Sequence, residues 1–393
     1  MNAPLPPRTL AYRRVPSAKV QAWRSLLDGP GPNFDGGPVL RDPRDARLRH
    51  CRAGAAVDHQ APDDQVAYNA TLAGTWNYVG PTHPHFGHVM AEMVHRVLPS
   101  RECFGHDAWL VVAPKNSYIQ SYREMSPPHQ SALEFLGVSP DRIRVIRDDT
   151  IVESLNIVEQ GAHLGSPPEQ SYLEMLRSYS ERRLNDLFAN TPRSAKVYVS
   201  RSDMRGLGNF LGERWIEGLF EREGFTIFKP EAHTLSEQMD VYRRASWLVF
   251  NEGSACHGAE LLGREMLGNV FVLTRRPGFE RLWANVLTGR AQSFQSHLVG
   301  DTVGSCARHR LSGVVLSNFM QTLVDIDRLA HWLRSAGLGA FPINDGQQYY
   351  RAAALDLEDQ MAAVTTYGPE RAPADDLDAM RAKLAEYTRA YGY

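Results

Sequence analysis

The feature that most constrains this chain is an alternation of short apolar runs with helix-patterned stretches between residues 107 and 274. Parallel strands need long crossover connections, and a helix is the usual one, so such alternation points to parallel sheets covered by helices. DAWLVVAP (107–114) reads as a buried strand stopped by Pro114, and PHQSALEFLGV (128–138) as a helix ending near Gly137. RIRVI (142–146) and IVESLNIVEQ (151–160) read as strands. The clearest helix is 166–190: Ser166 can cap it, Pro167 and Pro168 suit its first turn, and Leu173, Leu176, Leu184 and Leu187 give it an apolar face. A second set follows. AKVYVSR (195–201), FTIF (225–228), WLVFNEG (247–253) and NVFVLT (269–274) read as strands, with helices over 213–223 and 234–245 between them.

At roughly 100–200 residues per domain, 393 residues leave room for two. The expected division is an α/β block over 1–190, a second over 191–345, and a helical tail over 346–393 returning to the first block. Residues 1 to about 65 are rich in Pro, Gly, Arg and Asp; they read as loops, including GPGPNFDGGP (29–38), that wrap a core. Lys and Arg number 43 against 45 Asp and Glu, so the basic excess of a nucleic-acid binder is missing. Hydrophobic residues at 43% exclude disorder of the whole chain. Cys51, Cys103, Cys256 and Cys306 lie far apart without a CxxC pair, which speaks against a zinc ribbon and for a reducing compartment. No apolar run has the length of a signal peptide or a membrane span; the expectation is a cytoplasmic protein, with association at the inner membrane face left open.

Three segments carry chemistry. THPHFGHVMAEMVHRVLP (82–99) holds His83, His85, His88 and His95. If 86–98 is helical, His88 and Glu92 share a face at i,i+4, as a base or substrate contact needs. A metal site and a plain helix start with satisfied histidines compete with that reading. VYVSRSDMRG (197–206) puts Arg201 and Arg205 in a loop at the carboxyl end of a strand, where open α/β sheets bind ligands, and guanidinium suits phosphate. A surface ion-pair cluster around Asp203 is the plain alternative. WLVFNEGSACHGAELLG (247–263) is a strand entering Gly253-Ser254-Ala255 and an expected helix. Small residues there admit an anion close to backbone N–H groups, with His257 and Glu260 within reach of the same ligand; close helix–strand packing is the plain reading. GxxxxGK[ST], GxGxxG and GxSxG patterns are missing, which disfavours P-loop nucleotidases, dinucleotide enzymes and α/β-hydrolases.

The order of these motifs, with YVSRSD, Gly224-Phe225, Pro230-Glu231 and LSEQ (235–238) between them, resembles glycosyltransferase family 61 over roughly residues 75–265. That family includes capsular-polysaccharide-type bacterial transferases and eukaryotic N-acetylglucosaminyl- and xylosyltransferases. The resemblance implies an α/β GT-B fold, two Rossmann-like domains facing each other across a cleft. It also implies inverting transfer from a nucleotide sugar, most simply a UDP-sugar, to a glycan or other hydroxyl in surface-polysaccharide synthesis. Such folds usually need no catalytic metal, so neither a metal nor another cofactor is expected. Arg201, Arg205 and Gly253-Ser254-Ala255 would hold the donor diphosphate, with His257 and Glu260 beside them. His88 or Glu92 would be the base, His88 favoured because imidazole titrates nearer neutrality, and His83 and His85 would lie on the acceptor side. The chain departs from the family pattern at Gly212-Glu213, Glu252 and His257. A histidine-rich metal-dependent hydrolase, or a non-catalytic sugar-nucleotide or glycan binder of the same fold, is the alternative.

Overall fold

The computed structural model describes residues 9–25, 34–189, 192–309, 312–364, 371–373 and 377–392. It is a mixed α/β structure built on two principal sheets. The first has seven strands in the order Asp58–His59, Phe34–Pro38, Tyr12–Ser25, Thr150–Val158, Ala70–Pro81, Trp109–Val112, Ile143–Ile146. Its last four strands are parallel, and Tyr12–Ser25 joins them antiparallel along Thr150–Val158. The residues of Trp109–Val112 are all fully buried, as expected of a parallel strand covered on both faces.

The second sheet has five strands, all parallel, in the order Thr226–Phe228, Ala195–Val199, Ala245–Asn251, Leu267–Thr274, Ala291–Leu298. Numbered along the chain this is 2-1-3-4-5, so the winding reverses between Ala195–Val199 and Ala245–Asn251. The crevice beyond the carboxyl ends of such a pair is where open α/β sheets bind ligands. Here those ends lead into Arg201 and into Gly253. One apolar core runs through both sheets, joining Trp23, Trp109 and Leu155 to Val199, Phe250 and Val272. A second core gathers Phe210, Phe220, Phe319, Leu329 and Tyr349 on the far side of the second sheet.

Several expected elements form where their patterns lie. Leu235–Arg244 starts from a capping box, in which Thr234 Oγ1 accepts the Glu237 N–H and the Glu237 carboxylate accepts the Thr234 N–H. Glu213–Arg222 is followed by Gly224 at φ +78°, a left-handed turn that glycine adopts without a Cβ clash. Other expectations need correction. Residues 12–25 form the longest strand of the first sheet and 34–38 pair beside it, so this region supplies core (Val20, Trp23, Phe34) instead of wrapping one; residues 29–33 of the expected loop lie outside the described residues. The long helix spans Gln170–Leu187, with Glu169 before it; Ser166 and both prolines precede its first turn. The tail does not simply return to the first block: Gly346–Ala363 packs on Glu213–Arg222, and Leu377–Ala390 lies against Gly300–Ser305 and Gly346–Ala363. All four cysteines are free thiols. Among the described residues no helix is long and apolar enough to cross a membrane.

Candidate functional site

A cleft of about 800 Å³ opens between loops of the two sheets. One wall is the segment Pro84–His88, which follows the carboxyl end of Ala70–Pro81, together with Pro128 and Leu164. The other wall is Arg201, Gly253, Ser254, His257, Arg275 and Arg276 from loops of the second sheet, extended by Phe279, Leu282 and Trp283. Residues about 170 positions apart in sequence touch: a Cβ built on Gly87 would lie 3.0 Å from His257 Cδ2.

The expected helix over 86–98 is a short turn, Phe86–His88, running into a π-helical segment, Val89–Met93. Such segments recur at functional sites. The i,i+4 pair survives: His88 Nδ1 lies 2.6 Å from Glu92 Oε1. Glu92 is fully buried, and it also faces His50 Nε2 at 3.2 Å and accepts Arg52 Nε at 2.5 Å and Arg52 Nη2 at 3.0 Å. Burial alone would raise its carboxyl, but His50, His88 and Arg52 together hold it well below the usual carboxylate range. An ionised Glu92 can only accept, so His88 Nδ1 donates to it. His88 Nε2, the ring's other nitrogen, has no hydrogen-bond partner among the described residues.

The neighbouring rings differ. His83 is buried behind the wall, its Nδ1 accepts the His85 N–H at 3.0 Å, and burial pushes its pKa down to about 3. His85 lines the cleft, and burial, then His88, His257 and Arg201, push it down to about 4. His95 is part of the core, bonded to Tyr172 Oη and the Met90 carbonyl. Among the described residues no group of three or more His, Cys, Asp or Glu side chains is placed to hold a metal ion.

The opposite wall is cationic, by a route the sequence reading caught only in part. Arg201 lies against the Gly253 turn: a Cβ on Gly253 would fall 2.1 Å from Arg201 Nη1. Gly253 has an extended backbone, so the glycine is required by this contact and not by its φ. Glu213 sets the loop by accepting the Arg201 N–H, Tyr198 Oη and Asn251 Nδ2. Arg275 and Arg276, unremarked in the sequence, join the same wall. Buried Glu252 staples them there: its Oε2 accepts both their backbone N–H groups, and its Oε1 accepts Arg276 Nε at 2.7 Å. The Arg276 guanidinium bonds that carboxylate, while the Arg275 guanidinium donates to the Glu252 and Met320 carbonyls and Arg201 Nη2 to the Gly208 carbonyl. Burial, and after it the nearby Arg201, push the Arg275 pKa down to about 9, which leaves it charged at neutral pH. The Arg276 guanidinium stacks 3.6 Å from the Phe279 ring centre.

Not every expected donor-side residue reaches the cleft. Arg205 is half exposed, 3.8 Å from Asp359, and lines a separate depression with Gly212 and Trp215. Ala255 is buried beneath the turn, and the segment after Gly253 is a six-residue 3-10 helix, Ser254–Ala259, in place of the expected α-helix. Glu260 is buried behind His257, accepting His257 Nδ1 at 3.1 Å and pairing with Arg290 at 3.3 Å, so it has no free face for a ribose. The ion-pair cluster considered for the loop exists beside the cleft, where Asp203 bonds Lys229 and Arg214. Gly253→Ala is expected to drive a methyl into Arg201 and lower stability by about 1–3 kcal/mol in urea unfolding. Unchanged stability would mean that the guanidinium moves aside freely.

No curated protein matches this chain. Residues 86–262 match the family model Glycosyltransferase 61. The match opens in the histidine wall at Phe86 and closes just past Glu260, so it takes in His88, Glu92, Arg201, the Gly253 turn and His257. The stretch that supplies much of both walls of the cleft is therefore similar to the glycosyltransferase 61 family, while Arg275, Arg276 and Trp283 lie beyond it.

Proposed function

We propose that this glycosyltransferase works by inversion, in a GT-B arrangement of two α/β domains, over about 1–190 and 191–345, that face each other across the cleft. The donor is a nucleotide sugar, a UDP-sugar in the first instance, and the acceptor a glycan or other hydroxyl of the kind used in bacterial surface-polysaccharide synthesis. The observation that carries this reading is the juxtaposition, across one cleft, of the His88–Glu92 pair with three arginines and an open Gly-Ser turn.

In this reading the diphosphate docks on Arg201, Arg275, Arg276 and the Gly253-Ser254 turn. Guanidinium forks hold phosphate oxygens in two-point bonds, and the half-buried setting strengthens them. His88 Nε2 takes the proton of the acceptor hydroxyl as that oxygen attacks the anomeric carbon from the face opposite the diphosphate. Glu92 fixes the ring's tautomer and balances the imidazolium that forms, the part a buried carboxylate plays in hydrolytic triads. The arginines stabilise charge on the departing diphosphate. Arg205 has no part in donor binding here, and Arg275 and Arg276 take its place.

Calorimetric titration with UDP, GDP and CMP tests this reading. Wild type is expected to bind a diphosphate more tightly than CMP, which has one phosphate fewer. Arg201→Ala is expected to weaken that binding roughly 10–100-fold, the size of a lost charge-assisted hydrogen bond. Equal binding of all three nucleotides, or an Arg201→Ala variant with wild-type affinity, overturns the diphosphate assignment.

A further inference from the structure

The cleft holds a second histidine–carboxylate pair. His257 Nδ1 meets Glu260 Oε1 at 3.1 Å, and Glu260 Oε2 lies 3.3 Å from the fully buried Arg290. Arg290 is itself fixed, its Nη2 donating to the Glu260 carbonyl at 2.9 Å and its Nε to the Leu262 carbonyl at 2.9 Å. The ring packs on Trp283, 5.0 Å between centres. Its Cδ2 edge, which carries Nε2 next to it, is turned toward the Gly87 backbone across the cleft. His257 therefore has one nitrogen occupied and the other edge at the cleft, on the same wall as Arg201 and the Gly253 turn.

We propose that His257 is the proton donor to the leaving group, with Glu260 and Arg290 as its positioning residues. This rests on the donor placement proposed above. Glu260 carries a lowered carboxyl: burial raises it, but Arg290 and then His257 outweigh that. An ionised Glu260 can only accept, so His257 Nδ1 donates to it; the acid role needs a second ring proton, on Nε2, beside the diphosphate. An arriving diphosphate favours that doubly protonated ring by charge. In the step, the acceptor oxygen bonds the anomeric carbon and its proton passes to His88 Nε2. The bond from that carbon to the phosphate oxygen breaks with its electron pair left on oxygen, and this oxygen takes the proton from His257 Nε2. His88 then releases a proton to water and His257 takes one up, so only donor and acceptor are consumed. The two histidines, one per wall, thus divide the roles of base and acid.

Hydrolysis of the nucleotide sugar tests this in the full chain, with water as acceptor. The substrate is whichever UDP- or GDP-sugar wild type cleaves faster, and UDP and GDP serve as binding probes. His257→Gln is expected to lower kcat by about 10²-fold while nucleotide affinity stays within about threefold. Glu260→Gln, which leaves the ring in place but removes the charge that balances it, is expected to lower kcat by about tenfold with KM unchanged. A His257→Gln variant that binds the nucleotide and keeps wild-type kcat overturns the proposal alone. So does a loss confined to KM, which would make His257 a binding residue only. A wild type that binds neither UDP nor GDP overturns the donor placement, and the proposal with it.

Discussion

His88→Ala is expected to lower kcat by roughly 10²–10⁴-fold, with donor KM changed by less than about threefold, because general-base catalysis contributes on that scale. The assignment rests on what each partner of the pair can still do. Glu92 is fully buried, and its oxygens are engaged by His50, Arg52 and His88. Its lowered pKa makes it a weak base, and no face of it reaches the cleft. His88 has one nitrogen bonded and the other without a hydrogen-bond partner among the described residues, and its side chain is about 25% exposed at the cleft. In the proposed reaction it is therefore His88, and not Glu92, that meets the acceptor. Steady-state rates of transfer or donor hydrolysis check this, and a His88→Ala variant with wild-type kcat would place the base elsewhere.

Glu92→Ala should cost more in stability than in chemistry. Removing one partner of a buried ion pair leaves charge in a medium that solvates it poorly, typically at 3–5 kcal/mol. Here several nitrogens converge on the lost carboxylate, and His50 is itself fully buried, its pKa lowered by burial. We expect a loss of about 3–5 kcal/mol in urea unfolding near neutral pH. The pH dependence has a definite sign. The folded pKa of Glu92 is depressed, so its stabilisation is fully present above the unfolded value near ~4.3 and is lost as pH falls through the folded value. The gap between wild type and variant should narrow only in acid. A variant less than about 1 kcal/mol weaker at neutral pH would mean that Arg52 and His50 find other partners.

Much of the second sheet was legible because its strands are short apolar runs bounded by Gly and capping residues, and a capping box such as Thr234–Glu237 is a local signal. The strand Tyr12–Ser25 was not. Pro16 and the positive φ of Ser17 interrupt its alternation. It tolerates them because Tyr12–Pro16 pair on one side only, with Thr150–Val158, Ser17 is skipped in that register, and the pairing with Phe34–Pro38 begins only at Val20. The π-helical turn at Val89–Met93 likewise has no sequence period of its own, although the His88–Glu92 contact survived it.

The site was legible in the same uneven way. Spacing along one segment showed His88 with Glu92, and a strand end followed by Arg201 or by Gly253-Ser254 marked loops that line the cleft. Arg205 and Arg201 looked equivalent in sequence, yet one pairs with Asp359 at the surface and the other lies buried over Gly253. Arg275 and Arg276 had no motif around them, because what aims them is Glu252, twenty-three and twenty-four residues earlier in the chain.

By itself, then, the sequence determined the α/β class, most of the second sheet's strands, the family resemblance and three segments that meet at the cleft, since those follow from local periodicity and neighbouring residues. Only the tertiary structure decided which side chains share the cleft and which of them stay free to react. Those outcomes depend on burial and on carboxylates that arrive from elsewhere in the chain: Glu92 with His50 and Arg52, Glu252 with the two arginines, Glu260 with Arg290. Each of those charges must be matched once it leaves water, and the match is set by the fold, not by spacing along the chain.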